Sequence, residues 1–104
     1  MVSMEIDHAA FRYLPGALEA AKEGHLPGGL KNNLEFVGEC AEFAAPVPQE
    51  YRNLLFDPQT SGGLLVAVGA DASDETIEAL ERHGIAGRRV GRVVPKKSPL
   101  LFVK

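Results

Sequence analysis

The chain has 104 residues, 45% of them hydrophobic and 24% charged, with a formal net charge of −3. That length suits one domain, since domains commonly run ~100–150 residues, and the composition is that of an ordinary globular protein. A single cysteine, Cys40, excludes an internal disulfide, and no apolar run approaches the ~20 residues a membrane-spanning helix needs. The start, MVSMEIDHAA, has neither the basic flank nor the apolar core of a secretory signal, so the expected location is cytoplasmic, with no membrane contact.

The charge is unevenly spread. Residues 85–104 hold Arg88, Arg89, Arg92, Lys96, Lys97 and Lys104 with no carboxylate, while the first 84 residues hold all 14 acidic side chains and five basic ones. A basic tail can serve as an anion or nucleic-acid surface. No aromatic or glycine-rich RNA signature accompanies it, so the expectation is pairing with acidic surface elsewhere and no nucleic-acid partner.

In chain order, Val2, Met4 and Ile6 alternate with polar residues and predict a half-buried strand. LPGALEAAKEG reads as a short helix with Pro15 in its first turn and Gly24 as its stop. HLPGGLKNN, with Pro27, Gly28 and Gly29 in succession, predicts a loop. Leu30, Leu34, Val37 and Cys40 then fall at helical spacing, interrupted by Gly38. AAPVPQ predicts a linker, and PQEYRNLLF two helical turns with Tyr51, Leu54 and Leu55 on one side. LLVAV, residues 64–68, is continuously apolar and of strand length, which predicts a central strand. GADASDETIEALERHG predicts a helix capped by Ser73, with Asp74 and Glu75 at its positive end, Ile77 and Leu80 facing inward and Gly84 closing it. RRVGRVV and PLLFVK predict two more strands, with a bulge or close backbone approach at Gly91. These elements predict an α/β (α+β) domain over residues 1–104, a mixed sheet covered by helices.

The chemically suggestive stretch is DPQTSGG, residues 57–63. Adjacent glycines permit positive φ or close approach, and successive N–H groups around such a turn can make an anion-binding concavity. Thr60 and Ser61 add hydroxyl donors, and Asp57 can cap a turn or reach a ligand or metal. It is not a Walker loop, because Leu64 rather than lysine follows the glycines and no helix begins there. The competing reading is an Asp-Pro turn with a glycine bulge leading into a buried strand. His8, His25 and His83 lack ligand-spaced neighbours and read as surface histidines. Cys40, among apolar residues with no adjacent histidine or lysine, reads as an inert core thiol. Glu35, Glu39 and Glu42 read as a solvated face.

DPQTSGGLLVAV resembles the hallmark of the selenophosphate synthetase (selenide, water dikinase) C-terminal domain, within the aminoimidazole ribonucleotide synthetase superfamily. LPGALEAAKEGHLPGGLKNN is similar to that family's Pro-Gly-Ala helix and Pro-Gly-Gly loop followed by an asparagine, here Asn33; PQEYRNLLFDP and VGRVV also agree in order and spacing. Leu30 departs from the threonine frequent after Pro-Gly-Gly in the family. The resemblance implies an enzyme making selenophosphate, AMP and orthophosphate from selenide, ATP and water, dependent on Mg²⁺ and built as a homodimer. It makes Asp57, Gln59, Thr60, Ser61, Gly62 and Gly63 candidates for a phosphate cleft facing a missing N-terminal domain, and Gly28, Gly29 and Asn33 candidates on a second loop. The family's Cys or selenocysteine nucleophile, its lysine and its metal-binding aspartates belong to motifs this sequence lacks, so no catalytic or metal residue is expected here. The chain alone is expected to be inactive and to bind no cofactor tightly. The alternative is a stand-alone, non-enzymatic module that binds an anion or a protein.

Overall fold

A computed structural model describes residues 1–104. Four strands, β1 (Val2–Ile6), β2 (Ala41–Phe43), β3 (Gly91–Pro95) and β4 (Leu101–Val103), form one mixed sheet in the order β2-β4-β1-β3. β1 runs antiparallel to β3, with Met4 opposite Val93 and Glu5 opposite Arg92. It runs parallel to β4, which is in turn parallel to β2. The first strand therefore sits inside the sheet, between segments almost a whole chain away.

Side chains alternate across a strand, so this register sorts the residues into two faces. Ser3, Glu5, Arg92, Val94, Phe102 and Glu42 share one; Val2, Met4, Ile6, Val93, Leu101, Val103 and Phe43 share the other. On the apolar face Ile6 and Val103 are buried, but Val2, Met4 and Val93 are exposed. Ser3, on the polar face, is buried because its hydroxyl accepts from Lys97 N at 2.7 Å and donates to Lys97 O at 3.2 Å. That closure satisfies a hydroxyl whose burial would otherwise cost free energy.

The helices are α1 (Ala17–Lys22), α2 (Gly28–Val37), α3 (Gln49–Leu55) and α4 (Ser73–Arg82). α1 packs on α3, and Lys22 pairs with Glu50 at 3.4 Å. Phe43 carries the sheet's apolar face to Phe56, ring centroids 5.7 Å apart, and Arg52 lies over the Phe43 ring. Arg52 also donates to the carbonyls of Val47 and Ala44, closing the turn between β2 and α3. Tyr51 meets both His8 and Tyr13 edge-on, and Tyr13 Oη donates to His8 O at 2.7 Å. Only seven residues are buried: Ser3, Ile6, Ala21, Leu30, Val47, Phe56 and Val103. The core is thin for this length, and much apolar side chain stays at the surface.

Several expectations hold. α1, α3, α4, β1, β3 and β4 stand where the sequence predicts them, and the mixed sheet with helices is α/β. At Gly91 a Cβ would run into the carbonyl oxygen of Glu5, so the close approach is real. Other expectations are corrected. Residues 64–68 form no strand and lie exposed, because nothing in the chain pairs with their backbone. The predicted loop at Gly28, Gly29 and Asn33 is the beginning of α2: Pro27 precedes it in extended geometry, and Pro58 packs so close that a Cβ on Gly29 would lie 3.0 Å from its Cγ. Tertiary contact thus outweighs the ~1 kcal/mol cost of helical glycine. α2 ends at Val37, and a 3-10 turn over Gly38–Cys40 leads into β2, leaving Cys40 exposed rather than in a core. Ser73 is the first residue of α4, not its cap, and its hydroxyl accepts from Arg89 Nε.

Candidate functional site

α2 and α3 bring the two candidate segments together. Asn33 points across from α2, and its Nδ2 donates to the carbonyl of Phe56, the residue before Asp57, at 2.9 Å. One helical turn earlier Gly29 lies under Pro58. The start of DPQTSGG is therefore held by α2 from the side and by α3 from behind, where Asp57 N donates to Leu54 O at 3.2 Å. A glycine lets Pro58 rest close on α2, and the Asn33 amide supplies the donor for a part-buried carbonyl.

Beyond Pro58 the loop stands free. Gln59 N donates to Asp57 O at 2.9 Å, and the Gln59 side chain folds over Gly62, where a Cβ would come within 2.7 Å of its Oε1. The left-handed conformation falls on Ser61, φ 53°, rather than on either glycine. Left-handed backbone disfavours residues with a Cβ, so Ser61 adopts a conformation that its own side chain does not favour. Gly63 has open space around it. Thr60, Ser61, Gly62 and Gly63 are exposed, and none of their N–H groups has an acceptor within the chain. Four consecutive unengaged donors beside two hydroxyls can receive an oxyanion.

No group of three or more His, Cys, Asp or Glu side chains converges anywhere. Asp57 therefore belongs to no such group, and these residues by themselves do not make up a Mg²⁺ cage. His25 and His83 are exposed as expected, and half-buried His8 uses Nδ1 to hold the carbonyl of Lys104 at 2.7 Å.

The basic end of the chain is partly neutralised. Glu5 Oε2 accepts from Arg92 Nε and Nη2 at 2.8 and 2.7 Å, and Glu5 Oε1 accepts from Lys97 Nζ at 2.7 Å. The bonds from Lys97 and Arg92 hold the Glu5 carboxyl down at about 2. Arg89 pairs with Asp74 at 2.6 Å. Half of the six cations thus meet acidic partners. Sequence reading missed Glu5 as their hub, because its partners lie about 90 residues away; only the opposite signs hinted at it.

No protein-family model matches the chain. A selenide, water dikinase of Pelobacter propionicus is 47% identical to it over 93 residues, which is 88% of this chain and 27% of that protein. The selenide, water dikinase of Clostridioides difficile is 34% identical over 103 residues, 98% of this chain and 30% of its own length. That of Escherichia coli (strain K12) is 38% identical over 103 residues, 99% of this chain and 29% of its own length. The chain is thus an α/β protein homologous to one part of a longer phosphotransferase. Over most or nearly all of its length it is similar to one part of these selenide, water dikinases, and it spans less than a third of the length of the relatives it matches.

Proposed function

We propose that residues 1–104 are most of the C-terminal domain of a selenide, water dikinase, and that the exposed Thr60–Gly63 turn forms one wall of its phosphate-handling cleft. The observation that carries this is the clamp on the turn: Asn33 and Gly29 fix its N-terminal end while four N–H groups stay unengaged. A loop built only to connect two elements needs no such anchoring. The relatives' shared name supports the chemistry, which is formation of selenophosphate from selenide, ATP and water with release of AMP and orthophosphate.

In that reaction this chain's residues bind and orient. The N–H groups of residues 60–63 and the hydroxyls of Thr60 and Ser61 receive phosphate oxygens, and Gln59 and Asp57 keep the turn in shape. Preorganised donors of this kind stabilise charge that develops on transferred phosphoryl groups. Mg²⁺, when bound, neutralises phosphate charge; its ligands, the nucleophile and the lysine come from the rest of the protein. The full protein is a cytoplasmic homodimer, and the chain by itself does not catalyse.

The test is a chimera in which this chain replaces the matched residues of the Pelobacter propionicus relative. Selenide-dependent conversion of ATP to AMP is expected, falling about 10- to 100-fold in the Thr60→Ala/Ser61→Ala double variant while the fold persists. Full activity in that variant would remove the two hydroxyls from the phosphate wall. A folded chimera without activity would favour a non-enzymatic binding module.

A further inference from the structure

The backbone of residues 60–68 makes no hydrogen bond within the chain. Over its last five residues the side chains are apolar at every position, with Leu64, Leu65, Val66 and Val68 exposed at 92%, 62%, 66% and 43%. An extended segment turns successive side chains to opposite faces, so this run is apolar on both. That is the pattern of a strand covered on two sides and paired along its edges. Phe36 and Leu14 are strongly exposed as well, but neither belongs to a run of five consecutive apolar residues, and single exposed apolar side chains need no explanation.

We propose that Leu64–Val68 is a strand that pairs with a strand edge in the portion of the selenide, water dikinase architecture lying outside residues 1–104. The inference rests on the function proposed above. The occupant must supply backbone donors and acceptors at strand spacing together with apolar cover. The relatives match 88–99% of this chain, yet the chain spans only 27–30% of them, so most of the family's length remains to furnish both. A second copy is the poorer partner. Its free edges are β2, three residues long, and β3, which carries Arg92 and Pro95 within its five residues. Short edges, charges and proline are the features that discourage edge pairing.

Pairing here would also complete the loop's anchorage. Asn33 and Pro58 fix DPQTSGG at its beginning; a docked strand beginning at Leu64 would fix it at its end. The phosphate wall would then be rigid only when the rest of the protein is present.

Amide hydrogen exchange tests this on the chain alone and on the Pelobacter propionicus chimera. In the chain alone, amides 64–68 should exchange rapidly at every protein concentration. In the chimera they should slow by about 100-fold or more, and Val66→Lys should remove that protection while α4 stays protected. A chimera with protected α4 and fast 64–68 amides overturns the pairing. Slow exchange in the chain alone also overturns it, in favour of a second copy if it depends on concentration and of in-chain pairing if it does not. Protected 64–68 amides in a chimera that does not convert ATP leave the pairing standing and overturn the proposed function. Should the chimera leave even α4 unprotected, the chain is mixed with the relative lacking its matched residues, and fast exchange there overturns the pairing.

Discussion

Asn33 and Phe56 lie 23 residues apart and meet through one hydrogen bond, Nδ2 to carbonyl oxygen, at 2.9 Å. Phe56 is itself buried, with its ring against Phe43, so this contact ties α2, the end of α3 and the sheet to the first residue of the DPQTSGG loop. Stability and site geometry therefore share a single anchor.

Replacing Asn33 by leucine removes the donor while keeping the side chain's bulk. A part-buried carbonyl left without its partner costs about 1–3 kcal/mol. Urea unfolding should register that loss, and hydrogen exchange should show faster opening of residues 57–63. Unchanged stability would mean that the carbonyl finds water instead.

Gly91 and Gly28 make a matched pair of tests. A methyl group at Gly91 meets the Glu5 carbonyl and comes within 3.1 Å of Ile6 Cα, both rigid parts of the central strand. Gly91→Ala should cost about 1–3 kcal/mol or more, because β1 and β3 must separate to admit it. Gly28, in the first turn of α2, has nothing within 4 Å of its would-be Cβ. Gly28→Ala should be stabilising by about 0.5–1 kcal/mol through helix propensity. Thermal melts of the two variants should move in opposite directions.

Glu5 makes stability depend on acid. Its carboxyl is lowered from the ordinary 4.5 to about 2 by the bonds from Lys97 and Arg92. A folded-state value below the unfolded one means the contribution is complete above about 4.5 and is lost as pH falls towards about 2. The gap in melting temperature between the native chain and Glu5→Gln should be constant at neutral pH and close across that window. Arg92 and Lys97 are more than half exposed, so added salt should narrow the gap as well. A gap that persists at pH 2 would show that the carboxylate's charge is not what matters.

Tyr13 works at the other end of the scale. Burial first, then Tyr51 and Asp7, raise its hydroxyl from 10.0 to about 12. A phenol held neutral in the fold contributes stability that is complete below about 10 and lost as pH rises through about 12. The chain has two tyrosines, so Tyr51→Phe leaves one chromophore and keeps the ring packing. Its phenolate absorbance should appear above pH 10 in the folded protein, burial being the largest cause and one that the variant keeps, and near 10 in urea. A folded midpoint near 10 would contradict the burial of the Tyr13 phenol.

Local chemistry alone was enough for α4: acidic residues at one end, apolar residues at helical spacing and a glycine at φ 73° beyond the other are all contained in sixteen residues. The same holds for β1, β3 and β4 as strands and for DPQTSGG as an unusual turn. Tertiary structure decided what depends on residues far apart. It set Gly29 in a helix beneath Pro58 and buried Ser3 rather than Val2 or Met4 through a contact with Lys97. It gave Glu5 two cations from the other end of the chain and turned Ala41–Phe43 into a strand too short to announce itself. Residues 64–68 mark the limit between the two. Their pattern predicts a covered strand, yet within this chain they remain uncovered, because a strand is defined by the partner whose hydrogen bonds and apolar surface complete it.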